Sequence, residues 1–81
     1  MTHPGEMLVS EFLIQNDMSW TKIIELQPNI AARDVLDVVQ RVGPVTFDLA
    51  TAFAAVFLTS VEFWLELQAD YDLAIQEISN A

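Results

Sequence analysis

The segment Thr59-Ser60-Val61-Glu62-Phe63-Trp64-Leu65-Glu66-Leu67-Gln68-Ala69-Asp70-Tyr71-Asp72-Leu73 reads as the start and body of a long amphipathic helix. Trp64, Leu67, Tyr71, Ile75 and Ile78 recur at helical spacing, and the acidic residues fall mostly off that stripe. Glu62 follows Thr59 by three residues, the spacing of a capping box with Thr59 as the cap. The pattern predicts a fifth helix from this cap to about Ile78.

The segment before it, Phe47–Leu58, predicts a fourth helix capped by Thr46, with Asp48 in its first turn. Asp48 is its only charge, and Thr51 its only other polar residue. A helix apolar on all sides is expected to be covered on all sides. In so short a chain that cover would come from a second copy or another protein, unless Ala52, Ala54 and Ala55 simply meet water.

Upstream, Val35, Leu36, Val38 and Val39 give the apolar face of a third helix, Ala31 to Arg41, stopped by Gly43-Pro44. A second helix is predicted from a Ser19 cap through Ile23, Ile24 and Leu26. Pro28 ends it, because the residue before a proline is pushed out of the α region. Asn29 is expected to supply a left-handed turn. A first helix, about Glu6 to Asn16, buries Leu8 and Phe12, with Val9 and Leu13 beside them. His3 in the His3-Pro4-Gly5 lead-in is expected to make a helix-entry contact. No stretch alternates cleanly as a strand would. The expectation is an all-α, five-helix domain over residues 1–81, with the last two helices at about 47–78.

A chain of 81 residues buries only about 60–65% of its unfolded surface and is marginal alone. With 53% hydrophobic residues, part of that apolar content is expected to be buried by a partner. The absence of cysteine removes disulfides and thiolate metal sites, so a cytoplasmic setting is expected. No basic, apolar leader opens the chain. The longest uncharged run, Leu49–Val61, has 13 residues, short of the roughly 20 needed to span a bilayer. No membrane association, cofactor or metal is expected. An enzyme is not expected either. Glu62 and Glu66 lie one turn apart without a nucleophile, and the four serines Ser10, Ser19, Ser60 and Ser79 have no histidine partner suggested by their positions.

Charge is the second strong signal. Twelve acidic residues face only Lys22, Arg33 and Arg41, for a net charge of −9. Residues 47–81 carry Asp48, Glu62, Glu66, Asp70, Asp72 and Glu77 with no cation. Such a surface speeds encounters with basic partners and repels nucleic acid, or it serves solubility alone.

His3-Pro4-Gly5-Glu6, Leu8 and Glu11-Phe12-Leu13 resemble the opening of HigA-type antitoxins, a branch of the Xre/Cro-like (lambda-repressor-like) helix-turn-helix regulators. Thr46, Asp48, Thr59-Ser60, Glu62-Phe63-Trp64-Leu65, Leu67-Gln68 and Tyr71-Asp72-Leu73 resemble the family's end more closely. The resemblance implies a five-helix, usually dimeric protein with a helix-turn-helix at about 19–41, one that neutralises an RNase toxin and represses its own operon. The middle of the chain departs from the family. Trp20 stands where Gln is usual, and Gln27-Pro28-Asn29 replaces a Leu-Gly turn with one extra residue. Ala31, Ala32, Arg33 and Asp34 open the recognition helix where polar and basic residues are typical. Gln40-Arg41-Val42-Gly43 replaces a basic end, and Ala52 and Ala55 stand where arginines are frequent.

Base edges are read mainly by Arg, Lys, Asn and Gln. Where a typical member makes ~6 cationic phosphate contacts, this chain has at most about three to offer. The sequence therefore favours a degenerate, acidic antitoxin-like domain acting mainly by protein–protein contact, with weakened or lost DNA binding. The partner would be a toxin, a basic nucleic-acid-binding protein or a helix-turn-helix relative, and a homodimer is expected. The alternative is a conventional dimeric repressor on its operator, with Lys22, Arg33 and Arg41 as the DNA contacts. Candidate partner or dimer contacts are Trp20, Phe47, Ala52, Ala55, Trp64, Glu66, Asp70, Tyr71 and Ile75, with Trp20 as an aromatic anchor if exposed.

Overall fold

The imidazole of His3 closes the first turn of the chain. Its Nδ1 accepts from the Gly5 N–H at 2.9 Å, and its carbonyl accepts from Glu6 N–H at 2.9 Å. In the computed structural model, which describes residues 2–79, α1 therefore begins at Pro4, two residues before the expected start. Proline suits this first position because its missing N–H would have had no partner there. After the α-helical turn Pro4–Met7, α1 continues as a wider π-helical stretch, Leu8–Leu13. In that winding residues five apart share a face, which explains why Leu8 and Leu13 are both buried while Phe12 is half-buried.

The remaining elements are α2 (Thr21–Leu26), α3 (Ala32–Val39), α4 (Phe47–Phe57) and α5 (Val61–Ser79). The described residues are thus all-α with five helices, as the periodicity predicts. No helix among them is long and apolar enough to cross a membrane.

Several local expectations are corrected. Ser19 does not cap α2: its hydroxyl pairs with Thr21 Oγ1 at 2.7 Å, and Trp20 occupies the cap position with helical backbone angles. Asn29 is not left-handed. Among the described residues, the non-glycine positions with positive φ are Asp17 (54°), Arg41 (64°) and Leu58 (56°). The turn between α2 and α3 instead spreads over Gln27–Ala31, with Ala31 extended, and its length makes a left-handed residue unnecessary. α3 is shorter than expected at both ends. Left-handed Arg41 brings the N–H groups of Val42 and Gly43 back to the Asp37 carbonyl at 2.9 and 3.1 Å, closing the helix.

Thr46 caps α4 as expected, accepting from Leu49 N–H at 3.3 Å. The cap of α5, in contrast, is Ser60, whose Oγ accepts from Phe63 N–H at 3.0 Å. Thr59 is drawn away because its hydroxyl accepts from the indole N–H of Trp64 at 2.8 Å. A buried indole requires such a partner.

Trp64 is fully buried at the centre of the core. Phe53, Phe12 and Phe63 surround it with ring centroids 5.0 to 5.1 Å away. Ile23 of α2, Val35 and Val38 of α3 and Leu49 of α4 complete the same cluster. Two details, one steric and one polar, set α3 and the loop that follows it against this core. A Cβ on Gly5 would collide with the Val38 carbonyl, so only glycine lets α1 approach α3 so closely. Gln68 reaches from α5 to the loop before α4, its Oε1 accepting from the buried Val45 N–H at 2.8 Å. Its Nε2 donates to Asp72 at 2.8 Å.

Replacing Gln68 with Leu strands the Val45 N–H without a partner. The expected loss is about 1–3 kcal/mol, read as a lower urea midpoint with an unchanged slope.

Candidate nucleic-acid interface

Val35 and Val38 turn one face of α3 into the core, and helical spacing puts Arg33, Asp37 and, just past the last turn, Gln40 on the other. This is the face of the helix-turn-helix that is open to a ligand. Arg33 is the most exposed of the three cations, with 82% of its side chain accessible, and its Nε donates to Asp37 Oδ1 at 3.1 Å.

Every Lys and Arg of the chain has an acidic neighbour of its own. Lys22 lies 3.8 Å from Glu25, and Arg41 lies 3.6 Å from Glu6. The Lys22–Glu25 and Arg41–Glu6 pairs are solvent-accessible on both sides and worth about 0–1 kcal/mol, so a phosphate can compete with them, whereas the Arg33–Asp37 pair joins an exposed arginine to a half-buried carboxylate. The three expected DNA contacts come from three different places in the chain. Lys22 is in the first turn of α2, Arg33 at the head of α3, and Arg41 beyond the other end of α3, tied back to α1.

His3 packs under that far end. Its ring meets Tyr71 edge-on at 4.8 Å. Burial holds its pKa below the usual 6.5, helped by the Arg41 charge, while the Gly43 backbone and the carboxylates of Glu6 and Asp72 act in the other direction. Its role is structural, as a helix-entry contact.

The candidate partner contacts divide. Trp64 is fully buried and Ala52 nearly so, and both are corrected to core residues of this chain. Trp20 is half-buried against the core rather than an exposed anchor, so it is corrected as well. Tyr71 is half-buried and engaged with His3. Phe47, Ala55, Glu66, Asp70 and Ile75 remain at the surface. α4 is not covered on all sides: Leu49, Ala50, Ala52 and Phe53 face inward, while Thr51 and Ala55 are exposed.

Other surface residues were not singled out by periodicity. Asp37, one of the twelve acidic residues, stands on the outward face of α3 beside Arg33. Leu58, 91% exposed, ends α4 in its left-handed turn, and Leu73 lies off the apolar stripe of α5. Ile78 is on that stripe yet 60% exposed, because α5, 19 residues and about 28 Å long, outruns α4, 11 residues and about 16 Å.

No protein-family profile matches the chain. It is 35% identical over 72 residues to an uncharacterised HTH-type transcriptional regulator of Escherichia coli strain K12, covering 89% of this chain and 63% of that regulator. The structure of Pseudomonas aeruginosa antitoxin HigA with the higBA promoter superposes with a TM-score of 0.91 at 34% identity, covering 98% of this chain and 85% of that one. The chain belongs to the HigA family of helix-turn-helix antitoxins. A second Pseudomonas aeruginosa structure, a protein in complex with its operator DNA, matches with a TM-score of 0.90 at 34% identity over 99% of this chain and 85% of that one. Within the HigA fold, the motif residues of this chain are framework. His3 and Thr46 cap helices, Thr59 and Gln68 satisfy buried donors, and Trp64 fills the core.

Because His3 has a folded pKa below 6.5, the unfolded chain binds the proton more readily. The stability that neutral His3 provides is fully present above pH 6.5 and is lost as the pH falls from there through the lowered folded pKa. Replacing His3 with Asn, which keeps a short acceptor at the cap, is expected to flatten this part of the pH–stability profile measured by urea unfolding.

Proposed function

We propose that this chain is an antitoxin-type regulator that binds an operator as a dimer, presenting α3 to the major groove. The observation that carries this is the near-complete match, at TM-scores of 0.90 and 0.91, to relatives solved with promoter and operator DNA. The outward face of α3 supports it, since Arg33 and Gln40 are residue types that read base edges. The dimer is supported by Tyr71, Ile75 and Ile78, which share a face of α5 beyond the reach of α4.

The charge argument for a domain acting mainly through protein contacts, with weakened DNA binding, keeps one specific support. The net charge is −9, and each of the three cations already neighbours a carboxylate. The operator reading accommodates this through a small electrostatic contribution. Three cations per protomer give a dimer at most six phosphate contacts, so log K is expected to fall with log salt no more steeply than a slope of about −5.

Electrophoretic mobility shift with the DNA flanking the chain's own gene tests the proposal. Arg33→Ala and Arg41→Ala are each expected to weaken a specific complex by at least about tenfold. A wild type that shifts no sequence specifically, while forming a stable complex with a toxin or a basic protein, would establish the protein-contact reading instead.

Ile75→Asp combined with Ile78→Asp is expected to give a folded monomer. Sedimentation equilibrium would show the halved mass, with helix content by circular dichroism unchanged.

A further inference from the structure

We infer that Asp37 aims Arg33 at a guanine, so that the Arg33–Asp37 pair is the specificity element of α3. This rests on the operator reading and concerns how that site discriminates bases.

With 82% of its side chain accessible, Arg33 has little packing to hold it in one direction. Its contact with Asp37 uses Nε, at 3.1 Å, and leaves the two terminal nitrogens of the guanidinium unengaged. Those nitrogens form a planar pair of donors, the group that matches O6 and N7 of guanine in the major groove. The carboxylate partner is itself fixed. The Asp37 side chain is only 29% accessible. The turn closed by left-handed Arg41 folds back onto it, and a Cβ on Gly43 would stand 2.7 Å from the Asp37 Cβ. The Asp37 carbonyl holds that turn through Val42 and Gly43. Asp37 is thus a rigid post and Arg33 a mobile arm tied to it.

Charge makes the pairing consequential. An unpaired carboxylate in the middle of the reading face would repel DNA, and no other cation of the chain lies on that face. The pair is neutral as a unit, so it adds direction at the expense of non-specific attraction. Asp37 is therefore a positioning residue, and the two side chains should respond differently to substitution. Removing Arg33 both deletes the donor fork and uncovers Asp37. Neutralising Asp37 relieves repulsion while freeing the arm.

The test is selection of binding sites from a randomised duplex library by the full chain, followed by competition with duplexes altered one base pair at a time, all at one salt concentration. Wild type is expected to select a guanine at one position of each half-site, preferred over other bases by roughly five- to hundred-fold. Arg33→Ala should lose the preference at that position alone. Arg33→Lys should lose it too, while keeping the salt dependence of wild type. Asp37→Asn, with helix content unchanged, should bind unrelated DNA as tightly as wild type or more so, yet lose most of the guanine preference.

Unchanged discrimination in Asp37→Asn overturns the inference, as does a selected site in which no guanine depends on Arg33. In both cases the operator reading survives. A wild type that selects no sequence at all overturns both.

Discussion

The buried indole of Trp64 is the constraint on which the rest of the structure depends. Its ring is the hub against which α1, α4 and α5 pack, through Phe12, Phe53, Phe57 and Phe63. Burying so large a side chain drives the fold of a small domain, but it also buries an N–H that must be paired. Thr59 supplies the acceptor, which passes the capping of α5 to Ser60 and fixes where that helix begins. One turn further along the same face, Gln68 holds the loop before α4 by its backbone. The run of residues from Thr59 to Asp72 is thus a packing device. Its link to function is indirect: it holds the core against which α3 is set.

The outward face of α3 follows a different logic. α3 is held from behind by valines and by the close approach of Gly5, and nothing in that framework dictates what points outward. The chain has three cations in all, with one arginine at the head of the helix and a carboxylate one turn on. Few phosphate contacts lower affinity for all DNA alike, whereas a directed arginine raises the difference between sites. A low cation count therefore argues against strong non-specific binding and says much less about specific binding. That distinction is why charge alone pointed to protein contacts, and why the relatives solved with DNA shift the balance.

The number and order of the helices, the Thr46 cap, the Pro28 stop and the His3 entry contact were legible in the sequence. Each depends on residues within a few positions of one another. The same local logic misassigned the caps of α2 and α5, since Ser19 and Thr59 have the right residue type and their hydroxyls found other partners. It also placed the left-handed turn at Asn29, when the chain takes that conformation at Asp17, Arg41 and Leu58.

Periodicity and turn residues were enough for an all-α, five-helix chain with an acidic second half, because hydrophobic spacing and charge are properties of neighbours along the chain. The helix-turn-helix came with the family resemblance of the two ends. Which apolar residues are core and which are left over was decided only in three dimensions. Trp64 and Ala52 vanish inside, while Ile75 and Ile78, equally in phase, overhang because α5 is longer than the helix it packs on. The pairing of Arg33 with Asp37 had the spacing of a helix pair in the sequence. Its place on the open face, with Asp37 braced by the turn at Gly43, depends on how α3 is seated and how the chain folds back, and only the tertiary structure sets those.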